Sequence, residues 1–212
     1  MKKGEKRKQE LLGIAYRMFL TRGYEETSVD GIINEAGIAK GTFYYHFESK
    51  EQVLEEVIGM MIEKEAKEAE KILAAQLPIP IKILGIINAF QPSGEEIPIE
   101  EALNRPENAL MHEKIRGRLY EAASPLLCET VREGIGNGVF SCEDIPERVK
   151  ILLLISSALF DDADYTKKEL TVFLDVTEKI LGAKEGSLGF LSELIEKNNG
   201  QRYEEGGNGK EE

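Results

Sequence analysis

Apolar residues recur at helical spacing along almost the whole chain, and this periodicity is the feature that most constrains the fold. Stretches that alternate apolar and polar residues, which are typical of half-buried strands, are scarce. The longest apolar run, residues 151–160, is about half as long as a bilayer span. The sequence therefore predicts an all-α protein with no membrane partner.

Three helices with short connections are predicted within the first fifty residues. Gly23 ends the first helix, because glycine tolerates the left-handed backbone that closes a helix. Thr27 or Ser28 can cap the start of the second helix, and Gly37 closes it. A third short helix is predicted to cover about residues 40–46.

The second and third helices flank a glycine-containing turn, which is the arrangement of a helix-turn-helix. Apolar side chains that can hold the third helix against the second are Ile33, Ile38, Phe43 and Phe47. The residues left to face outward are Lys40, Gly41, Thr42, Tyr44, Tyr45 and His46. Residues 1–48 are therefore predicted to form an N-terminal DNA-binding domain.

The next part of the chain, residues 49–197, is predicted to be a second helical domain. Ser49 caps a helix that continues to about residue 77, a length of roughly 40 Å. Residues 91–106 are rich in Pro, Glu and Gly and predict a long loop. Further helical segments are predicted near 107–120, 122–135, 146–160, 167–181 and 187–197. Residues 198–212 have almost nothing to bury and are predicted to be disordered.

The segment 167–181 carries two apolar stripes, so as a helix it needs two packing partners. One partner is its own domain, and the other is predicted to be the same pair of helices in a second subunit. The alternative is a helix buried entirely in its own core. The candidate dimer-interface residues are Leu152, Ile155, Leu159, Val172, Val176 and Ile180.

The formal net charge of -12 is distributed unevenly. Residues 1–50 hold nine Lys and Arg against seven Asp and Glu, a net +2, whereas residues 51–212 hold 18 against 32, a net -14. A phosphate-binding surface is therefore expected near the N-terminus. Cys128 and Cys142 form no CxxC pair, and no metal motif, phosphate-binding glycine loop or nucleophile with its base is found. We expect a cytoplasmic protein that is not an enzyme and needs no metal or cofactor.

The stretch "AGIAKGTFYYHFESKEQVL" closely resembles the DNA-binding domain of the tetracycline-repressor (TetR) family of bacterial and archaeal regulators. It follows that family's order of A-G, a small aliphatic, a residue pair, G-T, an aromatic run, H-F and S-K-E. The similarity covers about residues 8–58. More loosely, "GIGNGVFSCEDIPE" resembles the turn before that family's dimerisation helices. Ala39 stands where the family often has Ser, which removes a side-chain cap worth about 1 kcal/mol, and Ile33 replaces a common Ala.

The resemblance implies a homeodomain-like helix-turn-helix domain followed by a helical domain that binds a ligand and dimerises. It assigns base-edge contacts to the start of the third helix and phosphate contacts to the residues around it. The residues implied to contact base edges are Lys40, Gly41 and Thr42. Those implied to contact phosphates are Thr27 or Ser28, Tyr44, Tyr45, His46 and Lys50.

The pattern and the resemblance together predict a ligand-responsive transcription regulator. As a homodimer, this repressor would bind an inverted-repeat operator in double-stranded DNA. A small molecule of apolar or amphipathic character is expected to release it. The alternative is a helical ligand-binding or adaptor protein whose DNA-binding head is vestigial.

Overall fold

The computed structural model describes residues 3–160 and 165–196, and every regular element within these ranges is helical. The α-helices are α1 (Lys3–Arg22), α2 (Val29–Ala36), α3 (Lys40–His46), α4 (Lys50–Ala74), α5 (Ile79–Ala89), α6 (Ile97–Leu103), α7 (Ala109–Gly136), α8 (Ile145–Phe160) and α9 (Lys167–Leu181). Two short 3-10 helices cover Gly94–Glu96 and Pro106–Asn108, and residues 191–196 are also helical. The predicted all-α class is confirmed, and the predicted disordered tail, 198–212, lies outside the described residues.

The segment predicted as a loop, 91–106, is instead mostly helical. Ser93 and Glu96 form a capping box, in which Glu96 accepts hydrogen bonds from both the backbone N–H and the hydroxyl of Ser93 at 2.8 Å. Prolines lie in the first turns of α6 and of the second 3-10 helix, where a missing N–H costs no hydrogen bond. The two helices predicted near 107–120 and 122–135 are one continuous helix, α7, with Pro125 inside it.

The chain divides into two compact units, and the first consists of the chain up to Lys64 together with Pro92–Arg118. Its buried residues in the first four helices are Leu11, Leu12, Ala15, Met18, Phe19, Ile32, Ile33, Phe43, Val53, Leu54, Val57, Ile58, Met61 and Ile62. α6 contacts α1 and buries Ile99 and Ala102. This unit therefore holds the three helices of the predicted helix-turn-helix domain together with a later segment that the proposed 1–48 boundary does not include.

The second unit consists of Glu65–Gln91 and the described residues from Leu119 onward. One apolar cluster gathers around Ile79, Ile86, Leu127 and Val131, and another around Leu170 and Leu174. Lys82 is buried there, and its ammonium donates to the Leu73 carbonyl at 2.9 Å and to the Glu133 carboxylate at 2.7 and 2.9 Å. Among the described residues no helix combines the length and the apolar character that crossing a membrane requires.

Candidate nucleic-acid interface

The turn between α2 and α3 is closed by Gly37, whose backbone is left-handed with φ 60° and ψ 38°. Its N–H donates to Asn34, and the N–H of Ile38 donates to the carbonyl of Ile33 at 3.3 Å. These two bonds satisfy carbonyls at the end of α2, and the left-handed residue redirects the chain into α3. The turn is therefore as tight as a helix-turn-helix requires.

α3 is only seven residues long and has little stability of its own. Its N-cap residue, Ala39, makes no side-chain hydrogen bond to the helix, as the sequence predicted. Phe43 and Phe47 hold it in place, because both rings are buried and their centroids lie 5.5 Å apart. The aromatic residues of this stretch therefore split into two buried phenylalanines and an outward-facing tyrosine pair.

The outward face of α3 carries most of the residues assigned to DNA by sequence. The side chain of Tyr45 is 82% exposed and that of Tyr44 49%, and His46 is half-buried with its ring 4.9 Å from that of Tyr45. Gly41 is exposed, and a Cβ built there would meet no heavy atom within 4 Å. Thr42 is half-buried in the first turn. This face carries hydroxyl and imidazole groups, and at Gly41, which has no side chain, its backbone is open to close approach.

Lys40 is the one lysine of α3, and it lies in an exposed ion pair with Asp30, 3.3 Å away. Such a pair contributes about 0–1 kcal/mol, since solvent screens both charges. The Lys40 ammonium is therefore available to a phosphate or a base edge at little energetic cost.

The two candidates for a phosphate contact at the start of α2 differ in burial. Thr27 is fully buried, and its hydroxyl donates to the Gly23 carbonyl at 2.8 Å. Ser28 is exposed and caps α2, its hydroxyl oxygen accepting from Gly31 N–H at 3.0 Å. Because the Thr27 hydroxyl is committed inside the fold, its assignment to DNA is corrected, and Ser28 is the residue of this pair that can reach a phosphate.

Lys50 lies in a different environment from the one the sequence suggested. Its ammonium donates to the carbonyls of Tyr24 at 2.9 Å and Glu25 at 3.4 Å, and it lies 4.0 Å from the centroid of the Tyr24 ring. Burial, followed by the nearby charges of Glu51 and Glu25, raises the pKa of the Tyr24 phenol well above its usual range. Lys50 therefore tethers the beginning of α4 to the turn that precedes α2, a contact between residues 26 positions apart that no local pattern reveals.

Glu96 is a further buried group of this unit that sequence reasoning missed. It accepts hydrogen bonds from the Tyr16 hydroxyl at 2.8 Å and from Ser93. Burial alone would raise the pKa of Glu96, but these hydrogen bonds outweigh it and hold the pKa below the usual value. The S-x-x-E spacing of the capping box was visible in the sequence, whereas the bond from Tyr16, 80 positions away, was not.

The candidate dimer-interface residues lie on α8 and α9, which contact each other within the second unit. Leu152 and Ile180 are partly buried and pack against the cluster around Ile79 in their own subunit. Val172 is 53% exposed, and Ile155, Leu159 and Val176 are half-buried. The exposed apolar surface of α8 also includes Ile151 and Leu154, which the sequence analysis did not select.

Two comparisons with known proteins bear on the N-terminal unit. Residues 11–57 match the family model of bacterial regulatory proteins of the tetR family. The transcriptional repressor KstR2 of Mycolicibacterium smegmatis is 50% identical over 52 residues, which are 24% of this chain and 25% of that protein. The regulator EthR of the same species is 39% identical over 61 residues, 29% of this chain and 28% of that protein. The chain thus spans about a quarter of the length of the curated relatives it matches.

Solved structures match over most of the chain. RolR, in a complex with the ligand resorcinol, has a TM-score of 0.60 at 17% identity, covering 91% of this chain and 94% of that one. A transcriptional regulator from Cytophaga hutchinsonii has a TM-score of 0.57 at 16% identity, covering 82% and 94%. At these identities the likeness shows the fold alone.

The turn at Gly37, the buried phenylalanines and the exposed face of α3 define an all-helical protein with an N-terminal helix-turn-helix. The matched segment, residues 11–57, is similar to the N-terminal part of bacterial regulatory proteins of the tetR family. The resemblance on which the sequence predictions depended is thereby confirmed.

Proposed function

We propose that the protein is a ligand-responsive transcription repressor that binds operator DNA through α3. The observation that carries the proposal is the division of α3 into a buried side, Phe43, and an exposed side that includes Lys40, Tyr44 and Tyr45. A rigid short helix with hydroxyl and ammonium groups on its outer side is suited to enter a major groove. Tyrosine hydroxyls and the start of α2 at Ser28 would contact phosphates, which position the helix without reading sequence.

The test is fluorescence anisotropy with duplex DNA from upstream of the protein's own gene. We expect Thr42→Ala to change which sequences are preferred, with a loss of discrimination of about fivefold for the favoured base. Tyr45→Phe removes only a hydroxyl and should weaken all sequences to a similar extent. If both variants weakened every sequence equally, the division of roles would be wrong. If the unaltered chain bound no upstream duplex, the alternative of a vestigial DNA-binding head would be preferred.

We propose further that the functional unit is a homodimer formed by α8 and α9. Support comes from Val172, which leaves an apolar side chain half exposed on α9, and from Ile151 and Leu154, which do the same on α8. Two subunits related by a two-fold axis would present two α3 helices about 34 Å apart, which requires an inverted-repeat operator.

Analytical ultracentrifugation tests the interface with a matched pair of substitutions on adjacent positions of α9. Val172→Glu places a charge on the apolar face and is expected to yield monomers with strongly reduced DNA affinity. Thr171→Glu places the same charge on an exposed polar neighbour and should leave the sedimentation profile unchanged. A dimeric Val172→Glu variant would refute this interface.

The second unit is proposed to bind a small-molecule effector of apolar or amphipathic character. RolR, which shares the fold, binds resorcinol, and this is the precedent for a small ligand. An effector that binds the DNA-free form about 100-fold better, a difference of roughly 2.7 kcal/mol, would relieve repression substantially. Native mass spectrometry of the purified protein, followed by DNA release with any retained compound, tests this part of the proposal.

A further inference from the structure

Positive charge in the N-terminal region is confined almost entirely to α1 and the residues before it. Residues 1–22 contain seven Lys and Arg against two Glu, a net +5. Residues 23–50 contain two Lys against five Asp and Glu, a net -3. The segment that includes α2 and α3 is therefore acidic, although binding to a polyanion draws much of its affinity from cations. Binding of DNA through α3 would thus require a second source of phosphate-binding charge.

α1 borders an open depression of about 540 Å³. Three cations line it, Lys6, Arg7 and Arg17, together with one acid, Glu10, which pairs with Arg7 at 2.9 Å. Both partners of that pair are nearly half exposed, so the pair can open at little cost. The ionisable residues of the depression therefore leave a net charge of +2.

Gly13 lies in the middle of this lining, between the cations at either end. A Cβ placed at Gly13 would have only the Arg17 guanidinium within 4 Å, at 3.9 Å, so the surface there is open to close approach. Lys6 and Arg17 are eleven positions apart on one helix, which is about 16 Å. Successive phosphates of one DNA strand advance about 3.4 Å along the duplex axis, so the depression is long enough for several.

The depression is continuous with the helix-turn-helix. Ala36, the last residue of α2, forms part of its lining and immediately precedes the turn into α3. Lys8 lies outside this lining: its ammonium pairs with Glu56 at 2.7 Å and lies 5.6 Å from the ring of Phe47, the residue that follows α3. The depression therefore reaches the helix-turn-helix at the end of α2.

We propose that this depression is a second DNA-binding surface, which holds the phosphate backbone of the same duplex that α3 contacts. The inference rests on the proposed function. Arginine favours this ligand, because its planar guanidinium matches the oxygens of a phosphate. Residues 51–212 carry a net charge of -14, so the cations of the N-terminal region are the part of the chain that attracts a polyanion.

The experiment measures how affinity for a mixed-sequence duplex of about 30 base pairs falls with salt, since non-specific binding reports the phosphate contacts directly. Replacing Lys6, Arg7 and Arg17 together by Ala should reduce the slope of log affinity against log salt by about 0.9 for each phosphate that these side chains neutralise in the unaltered protein. Arg22→Ala removes an exposed cation of α1 that does not line the depression, and should leave the slope unchanged.

A second experiment compares two variants that keep all three cations. Gly13→Asp introduces a negative charge into the depression, and Gly13→Asn introduces nearly the same shape without the charge. We expect the Asp variant to bind at least fivefold more weakly than the Asn variant at low salt, with equal helix content by circular dichroism.

If the wild-type protein and the triple variant bind duplex DNA with the same salt slope, the inference is overturned. The proposed function would still stand. Equal binding by the two Gly13 variants would overturn the inference as well. Failure of the wild-type chain to bind any duplex would instead contradict the proposed function itself, and this inference with it.

Discussion

Removal of the Lys50 ammonium tests whether this residue acts as a tether within the fold or as a phosphate ligand. Its best hydrogen bond joins a charged donor to the Tyr24 carbonyl at 2.9 Å, and the second, to Glu25, is long at 3.4 Å. A hydrogen bond to a charged group contributes about 1.5–3 kcal/mol, and a partly exposed cation over an aromatic ring about 0.5–1. Because Lys50 is only half-buried, we discount the sum and expect Lys50→Met to cost about 2 kcal/mol.

Hydrogen exchange is the assay that reports this destabilisation locally. The amide of Thr27 donates to the same Tyr24 carbonyl that accepts from Lys50, at 3.2 Å. Loosening of this turn by about 2 kcal/mol should speed exchange of that amide roughly 30-fold. Lys71→Met, which removes an exposed cation elsewhere on α4, serves as the control and should leave the Thr27 amide unchanged.

The same variant separates the two roles when it is titrated with DNA at several salt concentrations. A tether acts through the turn, so affinity should fall while the salt slope stays constant. Removal of a phosphate ligand would lower the slope by about 0.9. A reduced slope together with unaltered exchange at Thr27 would refute the tether and restore the role that the sequence suggested for Lys50.

Three further variants probe the fold, two of them in the second unit and one in the first. Gly182 has φ 64°, and a Cβ there would lie 2.0 Å from the Ser141 carbonyl oxygen. Gly182→Ala should therefore lower the free energy of unfolding, measured by urea denaturation, by about 3 kcal/mol. Gly186 has φ 76° but open space around it, so Gly186→Ala should lower it by only about 1 kcal/mol. Similar costs from both would show that the carbonyl contact is unimportant. The fold lowers the pKa of Glu96, so the stabilisation by its carboxylate is complete above the unfolded pKa of 4.5 and is lost as the pH falls below that value. Glu96→Gln should therefore flatten the acid side of the curve of unfolding free energy against pH. An identical acid side in both proteins would contradict this.

Helices with strong apolar periodicity and clear caps were predictable from the sequence. The predicted segments near 146–160 and 167–181 correspond to α8 (Ile145–Phe160) and α9 (Lys167–Leu181). Thr166 begins α9 with a capping box and Gly182 ends it, both of them local features. The turn at Gly37 was predictable for the same reason.

The segment 91–106 was not predictable, because its structure depends on distant contacts. Its prolines suggested breaks, yet Pro98 and Pro106 lie in first turns, where proline is well tolerated. Its one buried carboxylate, Glu96, is satisfied by Tyr16 of α1. Composition alone cannot distinguish a loop from short helices that are stabilised by another part of the chain.

The candidate interface shows the same division between local and distant causes. Sequence located α3 and its outward residues correctly, since they follow from the spacing of Phe43 and Phe47. It could not rank Thr27 against Ser28, because both are good helix caps and only tertiary packing buries the first.

α3 has seven residues and no side-chain cap, so it must derive its rigidity from the helices packed around it. A substitution that shrinks Phe43 should therefore impair DNA binding without touching DNA, through loss of helix order. Under the proposed function, the placement of the exposed face of α3 depends on buried residues that would not contact the duplex. A search for determinants of DNA affinity should for that reason include the core of the first unit as well as the exposed face of α3.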